Sequence, residues 1–433
     1  MDKVSNLAKR RGFIFPGSEL YGGLSGTWDY GPLGVLMKNN VKRLWWGAMV
    51  ERREEVVGLD AAILMNPKTW EASGHLEHFR DPLVECKSCH QRFRADELLK
   101  GKKRRCPHCG GHELTDMKMF NTMFKTFVGP VEDAAATVYL RPETAQGIFV
   151  NFENVLQTMR LKIPFGIAQI GKAFRNEITT GNWLFRSREF EQMELEYFVE
   201  PKTAPKWHAY WVKERLGWYR RYGISPTHVR ERKYKKAELA HYSAATSDVE
   251  YRFPWGWDEL EGIANRQDYD LTQHARASGK DLAYFDEARK RKYLPFVIEP
   301  SAGVDRCVLA FLLDGYREEE VKGEKRVRLA LHPALAPIKA AVFPLVKADA
   351  KLVKKAREVY ALLKPEMIAM YDEVDSVGRR YRRQDEIGTP FCVTIDGQTL
   401  ADDTVTVRER DTMKQERVST KALVEYLREK LTE

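Results

Sequence analysis

Between positions 174 and 198 the chain reads FRNEITTGNWLFRSREFEQMELEYF. Strand residues two apart share a face. Arg175 and Glu177 are therefore expected to point one way on a first strand. After a basic loop, Phe190, Gln192, Glu194 and Glu196 are expected to share one face of a second strand, with Met193, Leu195 and Tyr197 on the other. Buried charges without partners are costly. A face of Arg, Glu, Gln and Phe behind an apolar one thus predicts the floor of a site for a ligand both anionic and aromatic.

Four further segments carry charge on what reads as one strand face: YLRPETAQGI (139–148), ELEGIANR (259–266), VIEPS (297–301) and GVDR (303–306). In VIEPS, Glu299 and Ser301 share a face. Arg306 falls in the first turn of an apolar helix over 304–313. A helix start favours anions, and an arginine there can clamp a phosphate.

A second chemistry lies in Cys86-x2-Cys89 and Cys106-x2-Cys109, two pairs separated by sixteen residues. That spacing predicts a tetrathiolate Zn²⁺ site, closed and therefore structural. The residues between the pairs have too little apolar content to fold alone, so the metal would supply much of the folding energy. His90 and His108 are substitute ligands in reach. Two disulfides are the alternative, which a reducing cytosol disfavours. Cys307 and Cys392 sit in apolar runs and read as core.

These residues need a large scaffold, and 433 residues with 43% hydrophobic content supply enough for two or three domains. A net charge of +9 favours a polyanionic partner. The N-terminal stretch lacks the apolar segment of a signal peptide. No apolar run approaches the ~20 residues of a membrane span. The expected location is the cytoplasm, with no membrane partner. The chain divides into a core in three parts (1–84, 117–200, 251–332), a four-cysteine insert (85–116), a helical and then basic insert (201–250) and an alternating strand–helix region (333–433).

The motifs resemble the signatures of class II aminoacyl-tRNA synthetases, and closely resemble the dimeric (α2) glycyl-tRNA synthetase family. The resemblance runs through RRGFIF, SELYGG, DYGPLG, FNTMFKTFVGP, YLRPETAQGIFVNF, PFGIAQIGKAFRNEI, FRSREFEQMELEYF, ELEGIANR, VIEPSAGVDR, LAPIKAAVFPLV and DEIGTPF, in the family's order. It implies an α+β protein. An antiparallel-sheet catalytic domain would carry a zinc-ribbon-like insert, followed by a C-terminal α/β anticodon-binding domain. It also implies ATP, Mg²⁺ and Zn²⁺ as cofactors, glycine and glycine tRNA as partners, and a homodimer formed through the Trp45–Trp46 helix and the segment after it.

By the same resemblance, Arg175 grips the α-phosphate and the substrate carboxylate, and Arg306 holds the γ-phosphate; these two are the catalytic pair. Glu177 accepts from the adenine amino group and Phe190 stacks on the ring. Arg186 reaches the phosphates, and Glu259 is a Mg²⁺ ligand. Asn176, Phe185, Arg188, Leu260, Gly303 and Asp305 complete the ATP contacts. For glycine, Glu143, Glu194 and Glu299 ring the ammonium and Ser301 crowds Cα, with Arg94, Glu191, Gln192 and Arg266 completing the pocket. The basic RRYRRQDE at 379–386 is expected to face RNA, and the basic part of 201–250 either to touch the acceptor stem or to form a plain solvated helix. Two other readings share the fold. One is a non-catalytic relative such as the accessory subunit of the mitochondrial DNA polymerase, which would lack the charges at Arg175, Glu177 and Arg306. The other is a paralogue passing its adenylate to a carrier other than tRNA.

Overall fold

Seven strands form the main sheet, in the order Val229–Lys233, Ala245–Phe253, Gly256–Gln267, Phe296–Gly303, Glu189–Val199, Phe165–Phe174 and Val56–Gly58. All neighbours are antiparallel except the last pair. This computed structural model describes residues 1–99, 105–240, 242–321 and 323–432. The basic run at 100–104 of the cysteine insert and His241 of the second insert lie outside them.

The rear of the sheet carries the apolar set expected from alternation. Met193, Leu195 and Tyr197 are fully buried and pack with Trp45, Trp211, Trp218 and Val308. Burial of each such side chain contributes about 1.5–3 kcal/mol. Three helices cover this face: Pro32–Trp46, Ala204–Arg221 and Val304–Gly315. The first starts where Gly31 is extended and Pro32 presets the first helical turn. Its Gly34 lies against the chain at Phe13; a Cβ there would stand 1.8 Å from the Phe13 carbonyl oxygen. The third helix confirms the apolar helix read at 304–313. Ten of its twelve residues are buried, as fits a helix passing beneath a sheet.

The C-terminal region builds its own five-stranded mixed sheet, ordered Ala369–Tyr371, Ala340–Pro344, Phe391–Ile395, Thr404–Glu409 and Gln415–Ser419. Strand alternation splits its core in two. Ala340, Val342 and Val393 face helices Ala350–Leu363 and Leu423–Thr432. Ala341, Phe343 and Cys392 face helix Val377–Ile387. Cys307 and Cys392 are both buried, as read from their apolar runs.

Helix Val377–Ile387 corrects one expectation. RRYRRQDE was expected to face RNA, yet most of it faces protein. Arg380 is buried and donates to the carbonyls of Pro344 and Asp375. Arg383 bonds Asp372 (2.7 Å) and Asp375 (2.8 Å). Asp385 receives Arg326 and Arg408. Arg379 is the one arginine of the four whose side chain is mostly exposed, at 76%. The 3.6-residue period places the others against the hairpin Tyr316–Val321/Glu324–Leu329 and the C-terminal sheet. No helix among the described residues is long and apolar enough to cross a membrane.

Candidate active site

The front of the main sheet is a cleft of about 510 Å³, walled by Arg94, Arg175, Arg186 and Arg306 and by Glu143, Glu194 and Glu299, among others. Sequence separation is large, and the antiparallel ladder closes it. Glu194 lies opposite Ser301, and Gln192 opposite Gly303.

The carboxylates converge. Ser301 Oγ donates to Glu194 Oε1 at 2.7 Å. The N–H of Thr144 donates to Glu194 Oε2 at 3.1 Å and to Gln192 Oε1 at 3.2 Å, and the Thr144 hydroxyl also bonds Glu194 Oε2. Glu143 accepts from Gln146 Nε2 at 3.1 Å and lies 3.4 Å from His75 Nε2. Glu299 accepts from Arg266 Nη1 at 2.9 Å, and Asp270 takes Arg266 Nε and Nη2, both at 2.8 Å. Arg266 is thus a buried clamp that aims Glu299.

The environments set these carboxyls apart. Burial opposes ionisation of Glu143, but His75 and Arg266 outweigh it and hold that carboxyl well below the usual carboxylate range. Burial and then the charge of Glu143 raise Glu194, against bonds from Thr144 and Ser301. Burial pushes Glu299 up to about 8, with Arg266 opposing and Glu194 and Glu143 reinforcing. Such a cavity holds negative charge at high cost and gains most from a small cation.

Arginines also line the cleft. Arg175 donates Nε to the Pro142 carbonyl at 3.0 Å, and its guanidinium lies 5.3 Å from the Phe190 ring centroid. Arg306 donates Nε to the Phe185 carbonyl and Nη1 to the Glu259 carbonyl, both at 3.1 Å. It stands 4.2 Å from the Phe185 ring centroid and 3.2 Å from Glu259 Oε1. Glu177 feels both Arg186 and Arg175, and burial raises it against their pull. Arg94 reaches the wall from the cysteine insert, held by Asp81 Oδ2 (2.9 Å) and Asp96 Oδ2 (3.0 Å).

Most sequence-read residues line this cleft: Arg94, Glu143, Arg175, Glu177, Phe185, Arg186, Phe190, Gln192, Glu194, Glu259, Arg266, Glu299, Ser301, Gly303, Asp305 and Arg306. Arg175 and Glu177 arrive differently than expected. The strand ends at Phe174, and a tight turn, with the Glu177 N–H on the Arg175 carbonyl at 2.7 Å, aims both side chains.

Four others do not line it. Glu191 points to the rear, where Lys38 (3.0 Å) and Lys42 (2.9 Å) neutralise it. Its parity with Met193 dictates this. Leu260 is core. Glu261 pairs with Val249 and Glu259 with Glu250, so Leu260 is the extra residue of a bulge. Asn176 contributes its N–H to the Thr122 carbonyl. Arg188 ties the carbonyls of Ser25 and Glu177 together, bracing the turn instead of lining the cleft. Asp305 reaches the wall but is chiefly a buried acceptor for Tyr30, Lys38 and the Glu191 N–H.

Sequence reading missed Tyr234, Glu238, Tyr242 and Asp248, which line the cleft from the second insert, and His75 behind Glu143. The basic segment after 228 looked like a surface for RNA. Its first half instead forms strand Val229–Lys233, paired with Ala245–Phe253, which brings Tyr234 over the site. The alternation in VRERK was the available signal.

The insert gathers its cysteines. Cys86 and Cys109 sulfurs stand 3.6 Å apart, Cys89 and Cys106 sulfurs 3.5 Å, and all four lie within 4.8 Å of one another. They are free thiols, not disulfides.

A family model described as an anticodon binding domain matches residues 339–430, the five-stranded C-terminal unit. Curated relatives match along the whole chain. Glycine–tRNA ligase of Caldanaerobacter subterraneus subsp. tengcongensis is 55% identical over 100% of this chain and 98% of its own. That of Thermobifida fusca is 54% identical with the same coverage. That of Geobacillus thermodenitrificans is 53% identical over 100% of this chain and 97% of its own. The chain belongs to the glycine–tRNA ligase family.

Proposed function

We propose that this protein activates glycine with ATP, releasing pyrophosphate, and transfers the glycyl group to the 3′ end of glycine tRNA. One observation carries the reading. Glu143, Glu194 and Glu299 converge with Ser301 in a cleft that Arg175 and Arg306 also line. That is a place for an ammonium beside a place for phosphates.

In the first step the glycine carboxylate, already ionised, attacks the α-phosphate. No general base is needed; the difficulty is bringing two anions together in line. Arg175 bridges them, while Arg306, anchored on the Phe185 and Glu259 carbonyls, and Arg186 hold the outer phosphates. Phe190 supports the adenine ring, and Glu177 accepts from its amino group. Burial and the charge of Glu259 push Asp248 up to about 7, so this part of the cleft gains from added positive charge. Glu259 and the nucleotide phosphates would hold Mg²⁺ there, supplying charge neutralisation.

Glycine selection follows from exclusion. Glu194, fixed by Ser301 and Thr144, and Glu299, fixed by Arg266, leave the ammonium bound and Cα crowded. A larger side chain would have to displace groups that are mutually bonded. The anticodon-binding unit brings tRNA to this class II catalytic core, in the cytoplasm. Homodimerisation uses helix Pro32–Trp46 and the sheet-edge strand Val56–Gly58, near which Val35 and Leu64 are exposed. Charging glycine tRNA with labelled glycine tests the overall reading. Label should reach the 3′ terminus, and exchange without charging would refute the transfer step.

The insert fits zinc. A tetrahedron with Zn–S of about 2.3 Å has sulfur edges of about 3.8 Å, close to the 3.5 and 3.6 Å seen for two of its edges. The four thiolates would hold the ion, whose role is to fold the insert that presents Arg94. Chelation is expected to release one zinc per chain and expose 85–116 to protease, while the C-terminal unit stays resistant. Freshly purified protein without zinc would count against the assignment.

A further inference from the structure

Glu196 is fully buried beneath the residues that line the cleft and has no role yet. It follows Phe190, Gln192 and Glu194 on the same strand face. It is fully buried, and neither carboxyl oxygen has a hydrogen-bond partner among the described residues. Glu194 pairs with Ser301 and Tyr197 with Ile298, so the antiparallel register sets Glu196 across from Glu299. One oxygen from each of Glu194, Glu196 and Glu299 lies within 4.8 Å of the other two. Arg266 is the guanidinium bonded to this trio, and its hydrogen bonds go to Asp270 and Glu299.

Like charges directly opposite on paired strands repel. A buried carboxylate with no counter-ion is costly, and it relieves that cost by taking a proton. Burial first, then the charges of Glu299, Glu194 and Asp270, push Glu196 well above the usual carboxylate range, with Arg266 opposing. A protonated carboxyl is also a donor, which a carboxylate is not.

We propose that Glu196 is a positioning residue for the substrate amine: as a neutral carboxylic acid it donates its proton in a hydrogen bond to Glu299 once the bound ammonium ionises that carboxyl, fixing it toward the ammonium. The inference rests on the glycine reading above. It adds that one member of the carboxyl cluster works by being uncharged. Glu196→Gln preserves neutrality and a donor; Glu196→Ala removes both.

The test combines kinetics with infrared difference spectroscopy on the full-length protein. Glu196→Gln should keep the glycine KM within about threefold of wild type, whereas Glu196→Ala raises it about tenfold or more, the cost of a hydrogen bond to a charged group. The KM for ATP should stay unchanged in both. The wild-type-minus-Glu196→Gln spectrum should show a protonated-carboxyl C=O band without ligand present. Absence of that band, or a glutamine variant as impaired as the alanine variant, would overturn the proposal. Glu194→Gln separates the two layers. If it weakens glycine binding while the Glu196 variants do not, this proposal fails and the glycine pocket stands. If Glu194→Gln leaves glycine binding untouched, the pocket reading fails, while the infrared band still reports Glu196.

Discussion

Arg175→Ala is expected to lower glycine-dependent ATP–pyrophosphate exchange by about 10³-fold or more, as removal of a preorganised charge at a reacting centre does. Arg175 is well placed for so large an effect. It makes no ion pair among the described residues; one nitrogen donates to the Pro142 carbonyl, and the rings of Phe79 and Phe190 flank the guanidinium at 5.4 and 5.3 Å. A fixed cation with no ion pair among the described residues, beside a nucleotide-sized cleft, has room for a partner in the ligand. The fold should tolerate the change, since what is lost is one guanidinium-to-carbonyl hydrogen bond and ring contacts, roughly 2–4 kcal/mol. Arg175→Lys should recover little, because the planar fork that bridges two anions is absent from lysine. Near-normal exchange in a folded Arg175→Ala protein would remove Arg175 from the mechanism.

The second large effect lies far from the cleft. Asp385→Ala is expected to destabilise the protein by about 3–5 kcal/mol, the usual result of stripping a buried charge from its partners. Asp385 is fully buried and receives Arg326 Nε at 2.8 Å and Arg408 Nη1 and Nη2 at 3.0 and 3.2 Å. Arg326 also bonds Glu319 at 2.6 Å. Those residues belong to the hairpin after the catalytic sheet, to helix Val377–Ile387 and to the C-terminal sheet, so one carboxylate pins three units. Chemical denaturation should show an earlier transition. Charging of tRNA, which needs both ends of the molecule aligned, should suffer more than pyrophosphate exchange. Unchanged stability would mean that the seam is held by apolar packing alone.

How far the site could be read from sequence depended on the kind of element. Where a strand alternates cleanly, parity sufficed: Phe190, Gln192 and Glu194 face the cleft and Met193, Leu195 and Tyr197 the core. Glu191 was misplaced because family likeness was followed against that parity. Leu260 was misplaced for the opposite reason. A bulge shifts the register at that point, and a single sequence does not announce a bulge. The Arg175–Glu177 pair was found by type and spacing, though a turn and not a strand presents it. Tyr242 and His75 were illegible because packing brings them in and their neighbours are unpatterned, while for Tyr234 the one signal, the alternation of VRERK, lay within a basic run. In RRYRRQDE, charge suggested an RNA-facing surface, but the helix buries arginines against backbone carbonyls and carboxylates, some supplied from distant positions.

The most direct test of the central claim, that a carboxylate-lined pocket selects glycine by leaving no room at Cα, is ATP–pyrophosphate exchange with glycine, L-alanine and L-serine side by side. Steric exclusion of one methyl group predicts exchange with glycine that exceeds exchange with alanine by roughly 100-fold or more in kcat/KM, with serine no better. Exchange stimulated by alanine or serine as strongly as by glycine would contradict it.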